Sequence, residues 1–303
     1  MVRPLSRIAR ITAFLLIAPW TGAPAYADTI LFIGNSFTVG ALSPVQNYRP
    51  ESVTDLNHEG TGGVPALFRI FTSEAGLHYE VSLEAAGGKN LDFHYTQKAA
   101  LITRAWDHVV LQPYSTLDEG DPGNAAKVIE YSARLAQLFQ SRNARVDVRL
   151  VATWSRADQT YLPSGHWFGQ PIDRMALDLR AACDSAARHS PLIAAVIPVG
   201  QAWNRAIEGA IAVRNPLLPV PAGQIDLWAP DNYHASNYGY YLEALLIFGS
   251  VTGKDPRALG DKELAASELG MTPLQAHALQ QIAFETLAAE ARTPDQRPRD
   301  SGS

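Results

Sequence analysis

The 303-residue chain has a single cysteine, Cys183. That excludes an intrachain disulfide framework and any multi-cysteine zinc or iron–sulfur site. It has no basic block. Lys and Arg number 25 against 30 Asp and Glu, a formal net charge of −5. A mildly acidic chain is a poor phosphate-backbone binder, so no nucleic-acid partner is expected. Between Asp28 and about Glu290 it has no linker-like stretch and no internal repeat. One domain over 28–290 is therefore the expectation. With 47% hydrophobic and 18% charged residues, the composition is that of an ordinary globular protein.

Residues 1–27 read as a leader rather than as part of the fold. Arg3, Arg7 and Arg10 precede a ten-residue, mostly apolar run, Ile11 to Trp20. Ala25-Tyr26-Ala27 then places small residues at the positions a signal peptidase reads. The run is too short to span a bilayer, which takes about 20 residues. Cleavage before Asp28, export to the periplasm or medium, and no stable membrane insertion afterwards are expected. Loss of the three arginines takes the basic residues from 25 to 22 against 30 acidic, a net charge of −8. Residues 291–303, with no apolar periodicity, read as a disordered tail.

Short runs rich in β-branched residues alternate with helix-patterned stretches. Thr29–Ile33, Tyr79–Ala85, His108–Gln112, Asp147–Thr153 and Ala194–Pro198 read as strands. Several are apolar on both faces, as in a parallel sheet covered on two sides. Ala125–Arg142, Pro171–His189, Gly239–Val251 and Pro273–Ala289 carry helical spacing. Cys183 lies on the apolar stripe of the second, which makes it a core residue. The alternation predicts an α/β fold with a mostly parallel sheet. In such sheets ligands bind beyond the carboxyl ends of the strands.

The residues at those ends carry the candidate chemistry. Gly34-Asn35-Ser36 follows the first strand, Gly87-Gly88 the second, Gln112 ends the third and Trp154 follows the fourth. Asp231 and His234 lie three apart, just before a C-terminal helix. A serine is a weak nucleophile until a base takes its proton, and the base works better when a carboxylate fixes its tautomer. Ser36, His234 and Asp231 supply that set. An acyl transfer also needs donors for the developing oxyanion. The candidates are the backbone N–H groups of Ser36 and Gly88 and the side-chain amide of Gln112. The first block is not the Gly-x-Ser-x-Gly elbow, because Thr38 stands at the second glycine position. Apart from His234, the histidines form no pair at metal-ligand spacing beside an acid cluster, so neither metal nor cofactor is expected.

As a set, these blocks resemble the SGNH, or GDSL-type, hydrolase superfamily in order and in strand placement, from about Ile30 to Pro256. The resemblance implies a flavodoxin-like three-layer α/β/α sandwich with a five-stranded parallel sheet. It also implies ester hydrolysis with Ser36 as nucleophile, His234 as general base and Asp231 as its orienting acid. Two blocks depart from the family pattern. Asn35 stands where an aspartate is usual, and Gln112 stands where an asparagine is usual. The chain is similar to a divergent branch with Gly-Asn-Ser-Phe-Thr first and Val-Leu-Gln third.

For the substrate, Asn35, Trp154 and Tyr233 are candidate contacts. Trp154, Trp167, Trp228 and Tyr233 lie near strand ends, where aromatic faces can stack on sugars. A small-molecule or glycan ester is expected, with O-deacetylation of carbohydrate or cell-wall glycan as the leading reading. The alternatives are a non-catalytic glycan-binding protein on the same fold and a lipase- or thioesterase-type acyl hydrolase. Oligomeric state is not encoded in any pattern noted above.

Overall fold

The structure, a computed structural model, describes residues 27–292. The chain runs β1 (Asp28–Gly34), α1 (Ser36–Val39), β2 (Thr54–Asp55), α2 (Gly63–Glu74), β3 (Tyr79–Ala85), α3 (Leu91–Gln97) and α4 (Ala99–Ile102). It continues through β4 (His108–Leu111), α5 (Ala126–Gln140), β5 (Asp147–Val151), α6 (Ala157–Tyr161), α7 (Asp173–His189), β6 (Ile193–Ile197) and α8 (Val199–Glu208). It closes with α9 (Asn237–Thr252), α10 (Leu264–Glu268) and α11 (Pro273–Arg292). Helix α11 reaches two residues into the segment expected to be a tail. Residues 293–303, and residues 1–26 of the expected leader, lie outside the described residues.

The sheet is parallel throughout, in the order β2-β3-β1-β4-β5-β6. It has six strands rather than the expected five. The extra one, Thr54–Asp55, pairs only with Ser82 and Leu83, and two residues are too few to leave a period in the sequence.

Alternation along each strand explains the three layers. In β1, Ile30 and Phe32 point into one core, with α2, α8, α9 and α11. Leu31 and Ile33 point into the other, with α3, α5 and α7. All four are at most 1% exposed, so both faces of the strand are dry. Cys183 lies in the second core, where burial pushes its thiol up to about 12 and leaves it unreactive.

The strand order also places the site. β1 lies between β3 and β4, so the chain leaves β1 toward one side and returns on the other. At such a switch point the loops diverge and open a crevice beyond the carboxyl ends. The residues after β1, β3 and β4 border it.

Helix α9 is apolar on nearly every face, yet it carries Glu243, 1% exposed with Oε2 unpartnered. Burial pushes its carboxyl up to about 8. Burial likewise pushes Glu263 up to about 7, against the opposing hydrogen bonds from the Ala265 and Ala266 N–H groups. Between the ordinary carboxyl range near 4.5 and pH 8 the folded chain holds a proton on Glu243 that the unfolded chain releases. Stability therefore falls as pH rises through that window, by up to about 1.4 kcal/mol per pH unit for one such group. Glu243→Gln is expected to leave Tm nearly unchanged at pH 5, to raise it at pH 8.5, and to flatten the decline between. Thermal unfolding followed by circular dichroism across that range checks this.

Candidate active site

The structure brings Ser36, His234 and Asp231 together. Ser36 is the first residue of α1, immediately beyond β1. Its Oγ lies 3.0 Å from His234 Nε2, although the two residues are 198 apart in sequence. His234 Nδ1 lies 2.6 Å from Asp231 Oδ2. An ionised carboxylate can only accept, so the proton belongs on Nδ1, and Nε2 is left to accept from the serine hydroxyl.

Asp231 is held ionised by its surroundings. Burial alone pushes its carboxyl up. The His234 side chain and the backbone N–H groups of Tyr233 and His234 outweigh this and hold it below the ordinary aspartate range. Those two N–H groups donate to Oδ1 at 3.1 and 3.0 Å, which leaves Oδ2 for the imidazole. The segment is a tight turn closed by Ala229 N–H to His234 O, at 2.8 Å. Asn232 sits at its tip with φ of +60°, a conformation that asparagine tolerates better than most residues.

An aromatic column supports the triad. The Phe37 ring stacks on Trp154 at 4.1 Å and 8°, and Trp154 stacks on Trp203 at 4.7 Å and 4°. Trp154 Nε1 donates to Tyr233 O at 3.2 Å. Trp154 is 0% exposed, so it cannot meet a sugar, and its expected place among the substrate contacts is corrected to the core. Trp167 and Trp228 are 4% and 2% exposed and donate to Asp178 and to Ser155 O. Asn35 is corrected on the same ground. It is buried, its Oδ1 accepts from Phe37 N–H at 3.2 Å, and its Nδ2 donates to Lys89 O at 3.0 Å. Tyr233 is half-buried at the rim, beside the imidazole.

Gln112 takes a different place from the expected one. It is 1% exposed, and its carboxamide is spent on the chain itself. Oε1 accepts from Asn35 N–H and from Thr38 Oγ1, each at 3.1 Å, while Nε2 donates to Pro113 O. The amide therefore braces the turn that carries Ser36, and the oxyanion role expected of it is replaced by this one. Gly34 makes room for the brace. A Cβ there would fall 2.1 Å from Thr38 Oγ1 and 2.8 Å from Gln112 Oε1.

The other two expected donors are free to act. Among the described residues, neither the Ser36 nor the Gly88 N–H is taken by an acceptor within the chain. Gly88 is exposed, with φ of +69° and open space where a Cβ would stand. The buried Asn90 fixes the Gly88 loop by donating to Leu117 O at 2.7 Å and accepting from Tyr114 N–H at 3.0 Å. Asn90, and the bond from Thr38 to Gln112, escaped the sequence reading. Their only signal was proximity to the Gly-Gly pair and to Ser36.

No protein-family model matches the chain, and no curated protein sequence matches it. Solved structures do. A DUF4886 family protein from Bacteroides uniformis superposes with a TM-score of 0.60 at 17% identity, over 88% of this chain and 96% of that one. A putative GDSL-like lipase from Parabacteroides merdae gives a TM-score of 0.50 at 16% identity, over 75% and 95%. The chain thus has an SGNH/GDSL-type fold.

If Gln112 braces the turn, its removal costs stability as well as rate. Gln112→Ala strands the Asn35 N–H and the Thr38 hydroxyl in the interior, each worth roughly 1–3 kcal/mol when unpaired. A lowered Tm together with a lowered kcat is expected. A lowered kcat at unchanged Tm would instead restore the donor role.

Proposed function

We propose that the protein is a serine hydrolase that cleaves carboxylic esters through an acyl-enzyme. The observation that carries this reading is the continuous chain of hydrogen bonds from Ser36 Oγ through His234 to Asp231. The fold supports it, because Ser36 follows β1 at the switch point of the sheet, where ligands bind in folds of this kind.

In the first step His234 Nε2 takes the Ser36 proton as Oγ attacks the ester carbonyl. The oxyanion rests on the Ser36 and Gly88 N–H groups. Donors of that kind are worth roughly 3–4 kcal/mol each in the transition state. The tetrahedral species collapses, His234 protonates the departing alcohol, and the acyl group stays on Ser36. Water, deprotonated by the same histidine, then releases the acid. Because neutral His234 is required, activity falls in acid.

The substrate reading is a short acyl ester, an O-acetyl group on a carbohydrate or cell-wall glycan, met outside the cytoplasm. The leader pattern of residues 1–27 supports the location. The openness of the Gly88 loop, with exposed Lys89 and the half-buried Tyr114 and Tyr233 at the rim, supports a polar, bulky alcohol side. Stacking on tryptophan does not support it, since those rings are buried.

Hydrolysis of p-nitrophenyl acetate by wild type and by Ser36→Ala tests the mechanism, with intact mass after fluorophosphonate treatment. Turnover lost in the variant and one adduct on Ser36 are expected. No turnover and no adduct would overturn the reading in favour of a glycan-binding protein. Faster kcat/KM on long-acyl than on acetyl-sugar esters would overturn the substrate class alone. Intact mass of the exported protein is expected to begin at Asp28, and retention of Met1 would sink the export reading.

A further inference from the structure

Arg156 is a buried cation beside the proposed triad that the mechanism above does not use. It enters α6, two residues beyond Trp154, and is 9% exposed. A buried guanidinium is expensive unless its donors and its plane are engaged. Here all three nitrogens donate, and the plane is covered. Nε and Nη2 donate to Asp158 Oδ1 and Oδ2 at 3.0 and 2.6 Å. Nη1 donates to Ser115 Oγ at 3.1 Å. The plane covers the Tyr233 ring, with Cζ 3.5 Å from its centroid.

Tyr233 passes the contact on. Its ring lies 4.2 Å from the His234 imidazole at a tilt of 32°, and Phe37 packs against both rings at 5.4 and 5.6 Å. Asp158 N–H also donates to Asn232 O at 3.1 Å, inside the same turn. One side chain thus joins three separate segments: the loop after β4 through Ser115, the start of α6 through Asp158, and the acid–base turn through Tyr233.

The charge balance fits a site where imidazolium forms. An unpaired cation behind Tyr233 would oppose a second positive charge on His234. The two-point pair with Asp158 cancels it locally. An apolar side chain could fill the same volume, but it could not reach Ser115, Asp158 and the ring together.

We propose that Arg156 is a positioning residue that sets the orientation of the His234 imidazole through the Tyr233 ring. This rests on the serine-hydrolase reading. Arg156 touches no reacting atom, so its contribution belongs in kcat and not in substrate binding. A small misplacement of a base costs up to about 100-fold.

Arg156→Lys keeps the charge and loses the fork and the plane. It is expected to lower kcat roughly 10- to 100-fold, with KM nearly unchanged, and to slow fluorophosphonate labelling of Ser36 in parallel. Tyr233→Leu removes the ring and leaves the Arg156–Asp158 pair intact, with the same expected loss. If both act through one stack, the double variant loses no more than the worse single one. Millimolar guanidinium is expected to restore part of the activity of Arg156→Ala and none of that of Ser36→Ala. Wild-type kcat and labelling in Arg156→Lys, or losses that multiply in the double variant, would overturn the proposal. Should Arg156→Lys fail to fold, Tyr233→Leu alone decides, and an unchanged kcat overturns it. Absence of labelling in wild type is a different result. It removes the serine-hydrolase reading itself.

Discussion

The site depends on holding two segments 198 residues apart at hydrogen-bonding distance, and an aromatic column meets that constraint. Phe37 follows the candidate nucleophile and lies flat on Trp154, which lies flat on Trp203. Trp228 meets Trp203 edge-on at 5.1 Å and 77°. Such contacts add about 0.5–1.5 kcal/mol each beyond the area they bury. Their directional value is greater. The Trp154 indole reaches the Tyr233 carbonyl, and the Trp228 indole reaches the Ser155 carbonyl. The column is continuous with the core on one face of the sheet, so the geometry between Ser36 and His234 is inherited from the packing of the fold.

The turn under Ser36 is fixed from the other side by a single carboxamide. An amide that ends a central strand beside the candidate nucleophile can face the crevice or face the chain. The side chain of Gln112 is one methylene longer than the usual asparagine, and it folds back under Asn35 and Thr38. Thr38 stands where the nucleophile elbow of another hydrolase class carries glycine. Here its hydroxyl needs an acceptor, and Gln112 Oε1 is that acceptor. Gly34, Gln112 and Thr38 thus form one interlocking unit, because the brace fits only where a Cβ is missing.

This explains which parts of the molecule were legible in the sequence. The strands were legible because β1 and β4 read as apolar runs buried on both faces, while β3 and β5 alternate apolar with polar residues. The candidate triad was legible because the proposed chemistry demands particular residue types at strand ends. β2 was not, because two residues carry no period. The orientation of Gln112 was not, because its partners are fixed by a turn more than 70 positions away. Trp154 misled for a related reason. A tryptophan after a strand can face substrate or core, and only the neighbouring rings decide. Arg156 escaped notice because a lone arginine in a loop is ordinarily solvated, and its burial follows from a pairing with Asp158 two residues on.

The buried charges complete the argument. Asp231 and Glu243 carry the same functional group, one in an exposed turn and the other fully buried, and they shift in opposite directions. Burial acts upward on each. Asp231 has two backbone N–H groups and an imidazole aimed at it, and these reverse the effect. Glu243 has no such donors, and Oε2 stands without a partner. Hydrogen bonding to the charged form and depth together decide which carboxyl stays ionised at neutral pH. The acid proposed to orient a base sits in a turn whose own backbone solvates it. The acid that sits inside α9 is kept neutral by the core, at a cost in alkaline stability. The turn of residues 229–234 is therefore more than a loop that happens to bear two useful side chains. Its backbone supplies the electrostatics that keep Asp231 anionic, and that anion fixes the tautomer in which His234 can accept the serine proton.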